Sequence, residues 1–130
     1  MKIENEDDAF KCIDYLHNEF GIPNVVITSL ELDSHPDKIF VIGSRKGEER
    51  FKITIDKIDG NFTGTGDMFS ALILARHHEP LSTACHKTVS SIHKILQDTQ
   101  EKPNQELALI ENRAVISNPE IIGELNHYSI

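Results

Sequence analysis

The sequence predicts an α/β layered fold with mostly parallel strands, one antiparallel hairpin and flanking helices. Three observations predict it. A helix-period segment runs straight into an apolar β-branched stretch, two strand-like segments then face each other across a polar turn, and a glycine-bearing turn opens a strongly apolar helix. The chain has 130 residues and 38% hydrophobic composition, enough for one domain with its own core.

The first helix is marked by Phe10, Ile13, Leu16 and Phe20 at near-helical spacing. Asn5 stands as its N-cap with Asp8 three residues on, and Gly21 and Pro23 close it. Asn24-Val25-Val26-Ile27-Thr28-Ser29 follows as an apolar run without alternation, the pattern of a central parallel strand covered on both faces. Lys38–Gly43 and Phe51–Ile55, joined around Lys46-Gly47-Glu48, predict an antiparallel hairpin. After Gly66, Met68, Phe69 and Ala71–Ala75 are apolar nearly all the way round, so that helix is expected to be central and mostly buried, ending at Pro80. Leu81–Gln100 reads as a more exposed helix, with Ala84, Thr88, Ile92, Ile95 and Leu96 toward one side. In the tail, Pro103 opens a short helix carrying Leu107, Leu109 and Ile110, and Arg113–Ile116 reads as a brief strand before Pro119.

Charge and composition narrow the function classes. Thirteen basic against 21 acidic residues give a formal net charge of −8, which argues against nonspecific binding to nucleic acid or an anionic membrane. The acidic segment Met1–Asp8 resembles no secretory or transit peptide, and no apolar run nears the ~20 residues that span a bilayer. Cys12 and Cys85 have neither metal-type nor redox-type spacing and read as reduced, buried thiols, so a cytoplasmic protein is expected.

The chemistry concentrates in Gly64-Thr65-Gly66-Asp67. Its glycines let successive amides point inward, and the first turn of the following helix offers N–H groups with no intrahelical partner, which suits a phosphate. Asp67 reads either as a carboxylate favoured by the helix dipole or as a general base that takes a proton from a hydroxyl attacking phosphorus. Thr28 and Ser29 end the predicted central strand, where ligands bind in open α/β sheets; a turn-initiating pair is the equal alternative. The seven histidines make no metal set: His77-His78 and the pair His86 and His93 read as solvated helix residues, because no carboxylate or thiol completes a site.

Asn61-Phe62-Thr63-Gly64-Thr65-Gly66-Asp67-Met68-Phe69-Ser70-Ala71-Leu72 resembles the catalytic segment of the pyridoxal kinases, within the ribokinase-like superfamily. Val25–Ser29 is similar to the strand that brings a Thr-Ser pair to the nucleotide, Ala84–His93 to the family's next helix, and Glu106–Ile121 to its C-terminal end. Met68-Phe69 after the turn favours pyridoxal kinases over sugar kinases. The resemblance implies a partial ribokinase-like fold and ATP-dependent phosphorylation of the 5′-hydroxymethyl group of pyridoxal, pyridoxine or pyridoxamine. It implies Asp67 as the base and Gly64, Thr65 and Gly66 as the hold on the γ-phosphoryl group. Thr28 and Ser29 would then touch ATP phosphates, Ile58, Asp59 and Gly60 would lie along the nucleotide, and Phe62 and Leu96 would wall the adenine. ATP and Mg2+ are the implied cofactors, with a homodimer or association with a full-length subunit as the implied assembly. It also implies that residues 1–130 are the C-terminal nucleotide-binding portion, the vitamer-binding Ser and Thr, the lid and the acidic residues near magnesium belonging to an N-terminal portion not among them. Three readings follow: a kinase weak on its own, a non-catalytic short form that binds nucleotide weakly or joins a full-length subunit, or a kinase for another small alcohol such as a hydroxymethylpyrimidine or a sugar.

Overall fold

Asn5 organises the first element, as its spacing predicts. In the computed structural model, which describes residues 2–58, 65–100 and 113–129, α1 spans Glu6–Phe20. The Asn5 side chain accepts the Asp8 N–H at 2.9 Å, and the Asp8 carboxylate accepts the Glu4 N–H at 3.0 Å. Glu6, Asp7 and Asp8 set negative charge in the first turn, where the helix dipole favours it. At the other end Gly21 adopts φ 65°, the left-handed conformation that lets its N–H reach back to the Leu16 carbonyl.

The chain divides into two units, Met1–Lys57 with Gly123–Ile130, and Ile58–Ile122. The first holds α1 and a four-stranded sheet ordered β1 (Asn24–Leu30), β2 (Lys38–Arg45), β3 (Glu49–Asp56) and β4 (Glu124–Tyr128). Every pairing is antiparallel. The hairpin is as expected: Gly47 takes φ 74° in the three-residue connection, and the Glu48 N–H donates to the Arg45 carbonyl at 2.9 Å.

The expected parallel, central strand is not found among the described residues. β1 lies at the sheet's edge and runs antiparallel to β2, with Val25 its single buried residue. An unbroken apolar run reports apolar surroundings, not strand direction or neighbour count, and within this unit α1 supplies those surroundings on one face. Ala9 and Ile13 of α1 meet Val25 and Ile42 there, with Phe10, Leu16, Ile27 and Leu30 packed around them. Full burial of a side chain such as Ile13 is worth about 1.5–3 kcal/mol. His17 continues the same helical face: its Nδ1–H donates to the Ile22 carbonyl at 2.6 Å, which leaves Nε2 to accept the Ser44 hydroxyl at 2.9 Å.

β4 is absent from the sequence reading. Glu124-Leu125-Asn126-His127-Tyr128 has too few apolar positions to show a period, and it forms because β3 offers it a free edge from Arg50 to Thr54. On the sheet's other face the fully buried Phe51 ring lies over Gly43, its cross-strand partner.

In the second unit, α2 spans Thr65–Ala75, α3 Leu81–Gln100 and α4 Arg113–Ser117. The expected burial is reversed. None of α2 is buried, and Leu74 is 72% exposed, whereas α3 buries Leu81, Ala84, Cys85, Val89 and Ile95 together with Thr88, Ser90, Ser91, His93 and Thr99. Composition misleads because small polar side chains pack closely once their hydroxyls reach carbonyls: Ser90 donates to His86, Ser91 to Val115, and Thr99 to Ile95. α2 packs on α3 and keeps the rest of its apolar ring open among the described residues. It stops at Ala75, short of Pro80, whose carbonyl instead accepts the Ala84 N–H and so starts α3. Arg113–Ser117 is a helix and not the expected strand, Arg76 holding its last carbonyls. The helix expected after Pro103 lies outside the described residues.

Candidate active site

In the first unit, Thr28 and Ser29 sit together where the β1–β2 ladder breaks. Ile27 pairs with Ile42 and Leu30 with Phe40, so Thr28 and Ser29 oppose the single residue Val41 in a β-bulge. Ser29 has φ 54°, among the described residues the one non-glycine in the left-handed region. That conformation costs a residue with a Cβ roughly 1–2 kcal/mol. Both residues are exposed, so the bulge sets two hydroxyl-bearing residues at the surface near the carboxyl end of β1. The strand that carries them is an antiparallel edge strand and not the expected central parallel one.

In the second unit, Thr65, Gly66 and Asp67 form the first turn of α2. Thr65 is half-buried, Gly66 and Asp67 are exposed, and a Cβ at Gly66 would meet nothing within 4 Å. The first-turn amides of a helix have no intrahelical partner, so the positive end of the dipole stands beside the Asp67 carboxylate. The arrangement can bind an anion through backbone N–H groups while a base stands next to it. Ile58 and, on α3, Leu96 are both half-buried. Asp59, Gly60, Phe62 and Gly64 lie outside the described residues.

His77 and His78 are exposed, as expected, but His86 and His93 differ from the expectation. His93 is only 9% exposed, and half-buried His86 pairs through Nε2 with the Ile122 carbonyl at 2.6 Å, so burial in α3 and not solvent sets their surroundings. Among the described residues no three His, Cys, Asp or Glu side chains come together as a metal set.

Two charged clusters escaped the sequence reading. In the first unit Lys52 pairs with Glu6, whose other oxygen accepts the Tyr128 hydroxyl at 2.9 Å. The Lys52 hydrogen bond holds Glu6 below the usual carboxylate range against the opposing pull of burial. Burial works against charge on Lys52 too, but bonds to Glu6 and Tyr128 outweigh it and raise the ammonium. A cleft of about 560 Å³ beside this group is lined by Asp7, His35, Lys38, Phe40, Thr54 and Asn126 among others, and includes none of the predicted site residues. In the second unit Arg76, Glu79 and Lys87 form a cluster at the exit of α2. Only the i, i+3 spacing of Arg76 and Glu79 signalled it, and that spacing is common on solvated helices.

No protein-family model matches the chain. Individual proteins do. A pyridoxal kinase from Dictyostelium discoideum is 38% identical over 142 residues, and one from Homo sapiens 35% identical over 147, each match covering 93% of this chain and 47% of the relative. The chain thus spans about half the length of the curated relatives it matches. Among solved structures, a Leishmania donovani pyridoxal kinase in complex with ADP and ginkgotoxin superposes with a TM-score of 0.88 at 22% identity, over 98% of this chain and 45% of that one. Plasmodium falciparum PdxK with AMP-PNP and PL gives 0.85 at 28% identity, over 98% and 44%. A phosphomethylpyrimidine kinase structure from Bacteroides thetaiotaomicron shares the fold, with a TM-score of 0.81 at 20% identity. The relatives agree in kind along almost all of the sequence: 93% of this chain is similar to about half of a pyridoxal kinase.

Proposed function

We propose that this chain carries the nucleotide-binding and catalytic residues of an ATP-dependent kinase that phosphorylates the 5′-hydroxymethyl group of pyridoxal, pyridoxine or pyridoxamine. The observation that carries the reading is Asp67, an exposed carboxylate in the first turn of α2 directly after two open-turn residues, Thr65 and Gly66. A hydroxyl beside Asp67 loses its proton to the carboxylate as its oxygen attacks the γ-phosphorus, and the bond from that phosphorus to the β,γ-bridging oxygen breaks to release ADP. The turn's amides, from Gly64 to Gly66, hold the equatorial oxygens, whose charge persists through transfer. Thr28 and Ser29 serve ATP phosphates from the bulge, Ile58, Asp59 and Gly60 follow the nucleotide, and Phe62 and Leu96 flank the adenine. Relatives with ADP or AMP-PNP in their structures support ATP as the donor.

Mg2+ belongs to this reading as the ion that accompanies ATP. The described residues gather no three-ligand set for it, so no step is assigned to it here. The chain is read as the C-terminal portion of the kinase domain and as cytoplasmic, without nucleic-acid or membrane partners. The test is vitamer-dependent ADP formation by the purified chain and by Asp67→Asn. Loss of about 100-fold or more in kcat is expected on removing the base; an unchanged rate would remove Asp67 from the mechanism.

A second reading is favoured by two features: β1 is a sheet edge, and α2 has no buried residue among those described. Open edges and apolar helix faces pair with other chains. In this reading the chain works by joining a second copy or a full-length subunit, and sedimentation with and without that subunit separates the two.

A further inference from the structure

Asp67 stands at the start of a helix that burial alone holds poorly within its own unit. Among the described residues none of α2 is buried, and α3 is the helix that packs on it. At the exit of α2, however, Arg76 makes several polar contacts at once. Its Nη2 donates to the Ile116 carbonyl at 3.0 Å and the Ser117 carbonyl at 3.3 Å, while Nη1 lies 3.5 Å from Glu79 Oε2. Glu79 Oε1 in turn accepts from Lys87 of α3 at 2.5 Å. The side chains of Arg76 and Glu79 are 15% and 17% exposed, so water competes weakly for these bonds.

The carbonyls that Arg76 holds end α4, where the helix dipole favours a cation. α4 is itself fixed to α3, because the Ser91 hydroxyl donates to the Val115 carbonyl at 2.8 Å. Just beyond, the Ile122 N–H donates to Ser90 at 3.1 Å, and the Ile122 carbonyl pairs with His86. The exit of α2 is therefore bound to α3 twice, once through Glu79 and Lys87 and once through α4. We propose that Arg76, with Glu79 and Lys87, is a positioning device that fixes the axis of α2 and so the place of the Asp67 carboxylate.

The device acts by leverage. At about 1.5 Å rise per residue, Asp67 lies roughly 13 Å along the helix from Arg76, so a tilt of about 5° at the exit displaces the carboxylate by roughly 1 Å. A displacement of that size costs up to about 100-fold in rate when the reacting groups must be aligned. A guanidinium can bridge two carbonyls and a carboxylate from one plane; an ammonium keeps the charge but loses that fork.

This inference rests on the reading of Asp67 as the base, and its test separates the two. The full chain is compared with Arg76→Leu, Arg76→Lys and Glu79→Gln by amide hydrogen exchange and by vitamer-dependent ADP formation. Arg76→Leu is expected to speed exchange across Phe69–Ala75 by about tenfold while the α3 amides around Thr88–Ser91 exchange as before. It should lower kcat by about tenfold or more with the KM for ATP within about twofold, and Arg76→Lys should recover part of kcat. Glu79→Gln should show the same pattern more weakly. Unchanged exchange in α2, equal acceleration in α2 and α3, or a kcat equal to wild type in Arg76→Leu overturns the proposal. If the wild-type chain forms no ADP, the kinase reading is what fails, and the exchange pattern still decides the positioning role.

Discussion

Replacing Gly43 by alanine tests how the first unit's sheet is packed. Gly43 lies opposite Phe51 across β2 and β3, and the Phe51 side chain is fully buried. A Cβ added at Gly43 would stand 2.7 Å from Phe51 Cε1, nearer still to Cζ, and 3.1 Å from Cε2. Those are ring atoms of a fully buried side chain, so the ring must turn or the two strands must part. Overpacking of this kind costs about 1–3 kcal/mol. The alanine also restricts the unfolded chain, which returns about 0.4–1 kcal/mol. The midpoints of these ranges give an expected net loss of about 1 kcal/mol, read as a lowered midpoint in urea unfolding with an unchanged slope. Phe51→Leu, which removes the crowding ring, should cost stability alone yet absorb part of the alanine's penalty, so the double variant should be more stable than the two losses predict by about 0.5 kcal/mol or more. Additive losses, or Gly43→Ala within about 0.5 kcal/mol of wild type, would refute the claim that the ring over Gly43 sets this strand spacing.

Ser29→Gly should separate stability from binding at the bulge. Relief of the left-handed conformation, about 1–2 kcal/mol, outweighs the about 0.4–1 kcal/mol of added unfolded-state freedom, so the melting temperature should hold or rise. Loss of the hydroxyl should meanwhile weaken ATP binding by about 0.5–1.5 kcal/mol in titration calorimetry, and a melting temperature that falls would show that Ser29 is not strained. The Glu6, Lys52 and Tyr128 group predicts a pH window. Glu6 is lowered, so its stabilisation is full above its unfolded value and is lost as pH falls through the folded one; Lys52 is raised, so its contribution is full below the ordinary lysine value of 10.5 and fades as pH rises through the folded one. Between those limits both are present, and screening of these partly exposed groups keeps each to less than about 1 kcal/mol. Glu6→Gln should flatten the acid side of the stability profile; an acid limb identical to wild type would count against the pairing.

Local chemistry was legible wherever a residue acts on its neighbours in sequence. Asn5 capping α1, Gly21 closing it, Gly47 turning the hairpin and Asp67 in the first turn of α2 each depend on backbone conformation within a few residues, and each was readable from spacing alone. The family resemblance, carried by Asn61–Leu72, was readable for the same reason: it lies in one contiguous segment. What the sequence could not supply was the direction of β1, the existence of β4, the reversal of burial between α2 and α3, and the bonds of Arg76 to α4. Each of these depends on which distant segment lies alongside. An apolar run is the same string whether its strand is central or at an edge, and a serine reads as polar until a carbonyl from another helix accepts its proton. Sequence determined the local turns and caps; only the tertiary structure decided which faces were covered, because burial is a property of neighbours that the chain brings together from far apart.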